Sequence, residues 1–171
     1  MVGLDRATHA RVALRILETV GEEYGDNVFG ELPELGDGVR GQRLVREAGR
    51  PLAAAVWELP PGSDGMPYHF HHGTEEYLIV LSGTATLRTP DGELELAPGA
   101  VAHFSPGPEG AHTVMNRGDE AVRYVMVGAH ASPDIVEYLD EGAFAAMAKT
   151  SSQRGEPFFV RLPMPPEAAE S

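Results

Sequence analysis

Turn signals recur at short intervals through the middle of this chain, and they limit what it can fold into. Between residues 42 and 131, proline- and glycine-containing turns separate apolar runs that are too short for ordinary helices. The candidate strands are 42–46, 53–59, 67–71, 76–82, 84–89, 93–97, 100–104, 112–116 and 121–129. One turn, Thr89-Pro90-Asp91-Gly92, has proline second and glycine fourth, which predicts a type I turn closing a hairpin. The pattern predicts an all-β sandwich or barrel.

Composition excludes several functional classes. The 171 residues suffice for one domain, and the formal net charge of −13 leaves no basic stretch for nucleic acid. The absence of cysteine excludes disulfides, thiolate metal sites and cysteine nucleophiles. No run approaches membrane-spanning length, and charged residues interrupt the N-terminal segment, so that neither a membrane span nor a signal peptide is expected. We expect a cytoplasmic protein without nucleic-acid or membrane partners.

The segments flanking residues 42–131 read as extensions. Residues 1–41 form the predicted N-terminal extension, within which 8–20 suit either a strand or a helix face and 25–41 read as loop. Residues 132–171 form the predicted C-terminal extension. Here Leu139–Lys149 favours a short helix and Phe158–Val160 a strand or arm, followed by a flexible end.

The first candidate site lies in the window from Pro67 to Glu76. His69 and His71 are two residues apart, so that a strand would place both imidazoles on one face, near enough to share an ion. A turn follows, and Glu76 then begins a strand that is apolar on both faces. The neighbouring His72 and Glu75 remain alternative ligands at this point, although His71 and His72 cannot both face inward on a regular strand.

A second window contributes His112, followed on the same strand face by Val114 and Asn116. Three neutral imidazoles and one carboxylate suit a divalent transition metal such as Fe, Mn, Ni, Cu or Zn. Such a ligand set leaves coordination positions for water, oxygen or substrate.

The two windows together resemble the two sequence signatures of the cupin superfamily. The first signature is matched by Gly62, by His69 and His71, by Glu76 after four further residues, and by Gly83 after six more. The second resembles the run from Gly99, and its conserved positions are matched by Pro108, Gly110, His112 and Asn116. The resemblance covers residues 42–130 and extends more loosely to residue 140.

The resemblance to small single-domain cupins implies a double-stranded β-helix, or jelly-roll-like, barrel over residues 42–131. It implies one metal ion held by His69, His71, Glu76 and His112, and it leads us to expect a homodimer. Many cupins are metal-dependent enzymes, which leads us to expect an enzyme acting on a small organic molecule bound in the barrel, with a dioxygenase preferred over an isomerase or decarboxylase. The alternative is a non-catalytic cupin that binds or senses a small metabolite.

The remaining candidate residues are expected to have structural roles. His9, His103 and His130 lie outside both signatures and are expected to be structural or exposed. The expected strands carry Trp57, Phe104, Tyr124 and Met126, which are expected to line the interior mainly as core. Two arginines, Arg88 and Arg123, are candidates for anchoring an anionic substrate, against the ordinary expectation that they form ion pairs.

Overall fold

The computed structural model of the chain describes residues 38–44, 51–148 and 158–165. Their regular structure is almost entirely β. The strands are β1 Arg40–Arg43, β2 Leu52–Leu59, β3 His69–His71, β4 Glu75–Ser82, β5 Ala85–Thr89, β6 Gly92–Leu96, β7 Val101–Phe104, β8 Thr113–Met115, β9 Val122–Ala129, β10 Asp134–Tyr138, β11 Ala143–Ala148 and β12 Phe158–Pro163. Two 3-10 turns, Pro108–Gly110 and Leu139–Glu141, complete the regular elements of these residues. Nowhere in the described residues is a helix long and apolar enough to cross a bilayer.

The strands form three antiparallel sheets, ordered β1-β2-β9-β4-β7, β12-β11-β10-β3 and β6-β5-β8. Long-range pairings dominate, since β9 pairs along its full length with β2 and also pairs with β4. Local pairing occurs at the β5–β6 hairpin, where Thr89 and Gly92 are partners across the two-residue loop Pro90-Asp91. The architecture confirms the predicted all-β, double-stranded β-helix class.

The predicted strands agree closely with the observed ones. After residue 50, each predicted strand up to residue 129 coincides with an observed strand to within two residues at either end. The glycine that ends β4, Gly83, has a positive φ of 71°, and a Cβ there would lie 2.6 Å from the carbonyl oxygen of Ala121. Glycine is therefore required where the chain leaves this central strand.

One cluster of buried side chains fills the space between the sheets. Inward-facing residues of β2, β4, β5, β7, β8 and β9 supply most of it, because alternate side chains of each strand point to the same face. The members include Trp57, Leu59, Leu78, Val80, Ala85, Leu87, Phe104, Val114, Val122 and Tyr124, with Met126 packed against them. The interior positions expected of the four large residues singled out in the sequence are confirmed.

The helix expected over Leu139–Lys149 was wrong for the part that the structure describes. Residues 139–141 make a single 3-10 turn, and Ala143–Ala148 is strand β11. This strand pairs with β10 on one side and with β12 on the other, and these tertiary pairings override the helix propensity of its alanines and methionine. Strand β12 confirms the strand expected at 158–160. Residues 8–20, with His9, lie outside the described residues, as does the part of the expected flexible end, residues 163–171, that follows residue 165.

Candidate metal centre

Strand alternation sends the two histidines of β3 into the barrel. Both His69 and His71 are buried, whereas the next residue, His72, is 48% exposed in its side chain and donates a hydrogen bond through Nε2 to Glu137 Oε1 at 2.6 Å. Because His72 is committed to this surface pair, the choice between His71 and His72 is settled in favour of His71 as the inward-facing residue.

The same rule selects between the adjacent glutamates of β4. Glu76 is buried and shares the inner face with Leu78 and Val80. The side chain of Glu75 is exposed and accepts a hydrogen bond from His103 Nε2 at 2.6 Å. The inward-facing carboxylate is therefore that of Glu76.

His112 reaches the same region from the stretch before β8. It forms an isolated antiparallel bridge with His69, in which each backbone N–H donates to the other residue's carbonyl, at 2.8 and 3.1 Å. Its ring stacks on Phe104 at a centroid distance of 3.6 Å and an interplanar angle of 9°. The backbone bridge and the ring stack together fix the position of this imidazole.

Three of the four side chains form one close group, and His112 contacts this group through Glu76. Potential ligand atoms of His69, His71 and Glu76 all lie within 4.8 Å of one another, so this buried group can hold a metal ion. The Oε2 atom of Glu76 is 3.4 Å from His71 Nε2 and 3.6 Å from His112 Nε2. Ligands held at about 2.0–2.2 Å from one ion lie roughly 3–3.5 Å apart when they are adjacent in its coordination shell. These contacts therefore suit neighbouring ligand positions.

Outer hydrogen bonds orient each imidazole. The Nδ1 atoms of His69 and His112 contact the carbonyl oxygens of Pro67 at 2.7 Å and Gly110 at 2.9 Å. Since a carbonyl only accepts, each Nδ1 must carry the proton, and in the neutral ring Nε2 is then left with its lone pair free. This tautomer presents Nε2 to a metal ion.

His71 has the same arrangement with a different acceptor. Its Nδ1 donates to the buried carboxylate oxygen Asp134 Oδ2 at 2.7 Å, and its Nε2 faces Glu76. Sequence reasoning missed Asp134, because nothing in its local pattern links it to a histidine 63 residues earlier. It lies at the start of β10, which pairs with β3.

Gly128 is a second residue that the sequence motifs did not single out. It lies directly opposite Glu76 in the β4–β9 ladder. A Cβ at this position would lie 2.9 Å from His130 Nε2 and 3.4 Å from Glu76 Oε1. Glycine therefore makes room beside the carboxylate, and the half-buried His130 lies close to the site, with its ring centroid 6.3 Å from that of His71.

Burial favours neutral imidazoles at two of the three positions. It lowers the pKa of His69 well below its usual value, an effect reinforced by His112 and His71. It also lowers the pKa of His112 to about 4. For His71, burial alone would lower the pKa, but the hydrogen bond to Asp134 and the charges of Glu76 and Asp134 outweigh it and raise the pKa. Burial raises the pKa of Glu76.

A separate observation supports the fit of these four side chains to a metal ion. In the described part of the chain, His112 Nε2 is the buried side-chain nitrogen or oxygen that lacks a hydrogen-bond partner. Burying such an atom without a partner costs free energy. Imidazole nitrogen and carboxylate oxygen together are ligands for borderline transition metals. A cation among these atoms would satisfy the lone pair of His112.

Three other residues singled out in the sequence, His103, Arg88 and Arg123, pair with residues outside this group. His103 is exposed, as expected. The two candidate anion anchors are both ion-paired, Arg88 with Asp140 at 2.6 Å and Arg123 with Glu58 at 2.5 Å. The ordinary expectation for these arginines is therefore confirmed.

Comparison with known proteins identifies the fold. Residues 55–128 match the family model of the cupin domain, whereas no curated protein matches the sequence. A similar solved structure is a sugar phosphate isomerase from a cupin superfamily of Silicibacter pomeroyi, with a TM-score of 0.62 and 22% identity over 77% of this chain and 83% of that chain. Another, provisionally named a sugar phosphate isomerase, is from Acidithiobacillus ferrooxidans. It has a TM-score of 0.56 and 27% identity over 69% of this chain and 75% of that chain.

The matched region contains both sequence motifs and all four converging side chains. The barrel topology agrees with the solved cupin. Residues 55–128 of this chain are therefore a cupin domain.

Proposed function

We propose that this cupin is a metal-dependent enzyme that acts on a small organic molecule, with one divalent transition metal held by His69, His71, Glu76 and His112. The observation that carries the proposal is the buried Nε2 of His112, which has no hydrogen-bond partner in the described residues and lies 3.6 Å from Glu76 Oε2. The homodimer and the bound small molecule expected from the sequence belong to the same proposal.

The residues of this chain would bind the ion and surround it. Three imidazoles supply neutral ligands and Glu76 supplies one negative charge, so that a divalent ion keeps a net positive charge at the site. Phe104, Leu78 and Val114 are buried core residues, and the ring of Phe104 stacks on His112, so that the side of the site toward the core is apolar. When bound, such an ion with open positions polarises a carbonyl, activates O₂ or stabilises an enolate.

Among these reactions we favour isomerisation of a small hydroxycarbonyl compound. Support comes from the similarity to the Acidithiobacillus ferrooxidans protein, which is the nearer of the two structures in sequence, at 27% identity. A phosphate group is not part of the proposal, because the carboxylates of Asp140 and Glu58 already occupy Arg88 and Arg123. The dioxygenase preferred from the sequence and the non-catalytic metabolite-binding cupin are the competing outcomes of the test.

The test begins with elemental analysis of protein purified without metal-affinity resin or chelator. We expect close to one transition-metal ion per chain, recovery of that stoichiometry after chelation and reloading, and its loss in His112→Ala. His103→Ala is the matched control, because it removes an exposed histidine that lies outside the site. A wild-type chain that neither contains nor takes up Fe, Mn, Ni, Cu or Zn would refute the metal centre.

The reaction class is tested on the reloaded protein. Proton exchange and interconversion in a panel of aldoses and ketoses, followed by NMR, would support the isomerase. Oxygen consumption with a small organic substrate would support the dioxygenase instead. Tight binding of a metabolite by the metal-free protein, with no turnover by the loaded protein, would favour the binding module.

A further inference from the structure

The strand that neighbours the two histidines of β3 comes from outside the cupin match. The match ends at residue 128, whereas β10 begins at Asp134. In the β3–β10 ladder, Val136 is the partner of His71 and Tyr138 the partner of His69. The backbone that carries both imidazoles is therefore held by the C-terminal segment.

Asp134 links this segment to the metal centre through its side chain, which is completely buried. Its Oδ2 accepts hydrogen bonds from His71 Nδ1 at 2.7 Å and from the Thr74 hydroxyl at 2.5 Å. Its Oδ1 accepts from the backbone N–H groups of Gly73 and Ile135, both at 2.9 Å. These four donors, two to each oxygen, fix the orientation of the carboxylate.

This arrangement differs from that of the other two imidazoles. His69 and His112 donate through Nδ1 to backbone carbonyls, which side-chain substitution does not remove. His71 alone of the three depends on a side chain for the same purpose. A carboxylate accepts but cannot donate, so that it holds the proton on Nδ1 and directs Nε2 toward Glu76.

We propose that Asp134 is a positioning residue for the metal centre, and that tight metal retention requires the strand β10 as well as the cupin domain. The proposal rests on the proposed function, since it assumes that His71 is a metal ligand. It adds that the residues conferring affinity extend beyond residues 55–128, which match the cupin domain model.

Asp134→Asn is the decisive variant, because the amide is nearly isosteric but presents an NH₂ group that can face His71 Nδ1. We expect Zn²⁺ affinity, measured by competition with a chelator, to fall about 10–100-fold, as is typical when an outer partner of a ligating histidine is lost. We also expect the absorption spectrum of the Co²⁺-loaded protein to change, because the ligand geometry changes.

Glu137→Gln is the matched control. Glu137 lies on the same strand and accepts a hydrogen bond from a histidine, but that histidine is the exposed His72. We expect its Zn²⁺ affinity to stay within about twofold of wild type and its Co²⁺ spectrum to be unchanged. Asp134→Glu, which keeps the carboxylate, should retain more affinity than Asp134→Asn.

Thr74→Val is a second variant that can be used if Asp134→Asn does not fold. It removes one hydrogen bond to Asp134 Oδ2 and leaves the carboxylate in place. It should give a smaller loss, of several-fold, with an intact circular dichroism spectrum. Wild-type affinity in folded Asp134→Asn, or in Thr74→Val when Asp134→Asn does not fold, would overturn the positioning role while leaving the metal centre intact. Failure of the wild type itself to bind Zn²⁺ or Co²⁺ would instead refute the metal centre.

Discussion

The inner and outer faces of the same strands carry the same residue types but use them differently. On the outer face, His72 pairs with Glu137 and His103 with Glu75, and both nitrogen–oxygen distances are 2.6 Å. These side chains form ordinary hydrogen-bonded pairs at the surface. Each outer imidazole therefore already has a carboxylate partner.

On the inner face, histidines surround the carboxylate of Glu76 without forming a short hydrogen bond to it. Glu76 Oε2 stands 3.4 and 3.6 Å from the Nε2 atoms of His71 and His112, which is too far for a strong hydrogen bond and suits ligands around a common ion. Yet His71 and His72 are adjacent in the sequence. Strand alternation, rather than local composition, therefore decides which histidine can be a ligand.

The largest expected effect comes from exchanging the two adjacent histidines for alanine one at a time. His71→Ala removes an inward imidazole, so we expect it to lower Zn²⁺ affinity by more than the roughly 10–100-fold typical of outer-partner substitutions. His72→Ala removes an exposed one and should leave affinity unchanged. Chelator competition on both variants measures the difference. Equal losses in the two variants would break the distinction between the faces.

Alternation was readable from the sequence, and it correctly placed Glu76, Leu78 and Val80 on one face and Tyr77 on the other. The hydrophobic pattern of each strand, together with its bounding turns, carries this information locally. The local pattern thus predicted the strands and the inward-facing residues, whereas the set of His69, His71, Glu76 and His112 came from the resemblance to the cupin signatures.

What the sequence did not reveal depends on pairing between distant segments. Asp134 contacts His71 only because β10 pairs with β3, and no local pattern predicts that register. The alanine-rich run Ala143–Ala148 favours a helix by itself, yet it becomes a strand because strands are available on both of its sides. Both errors concern the C-terminal segment, where no sequence motif guided the interpretation.

Strand β7 offers the next test, because it carries an apolar side chain on each face. Phe104 is buried and stacks on His112, whereas Val101 is 61% exposed. We expect Phe104→Ala to lower the free energy of unfolding by about 3–5 kcal/mol through lost packing and the cavity left behind. Val101→Ala should change it by less than about 0.5 kcal/mol. Urea unfolding of the metal-free protein measures both, and a near-neutral Phe104→Ala would contradict the packed inner face.

Glu58 provides a test of the difference between the two faces. It points outward from β2, yet its side chain is buried. It forms ion pairs with Arg123 and Arg40. Burial alone would raise its pKa, but hydrogen bonds and charges from Arg123 and Arg40 outweigh burial and lower the pKa. With the folded pKa below the unfolded one, its stabilisation is complete above the unfolded pKa of about 4.3 and is lost as pH falls through the folded pKa.

We therefore expect Glu58→Gln to be less stable than wild type at neutral pH, and the difference to shrink on acidification below about pH 4. Urea unfolding of metal-free wild type and variant across a pH series gives this difference directly, because their other titrating groups are shared. A difference that is constant between neutral and acidic pH would show that the charge of Glu58 is not the source of its stabilisation.

The smallest expected effect lies in the exposed Glu75–His103 pair, which is the outer counterpart of the contact between Glu76 and the inner imidazoles. Both side chains are nearly half exposed, and water and salt therefore screen their attraction. Tyr77 stacks on His103 at 4.7 Å, so His103→Ala alone also loses ring packing. A double-mutant cycle with Glu75→Gln separates the pair from that packing. We expect a coupling free energy below about 1 kcal/mol that declines in about 1 M salt. A larger coupling that resists salt would mean that the outer face also holds its histidines in a fixed geometry, and burial would then no longer distinguish the two faces.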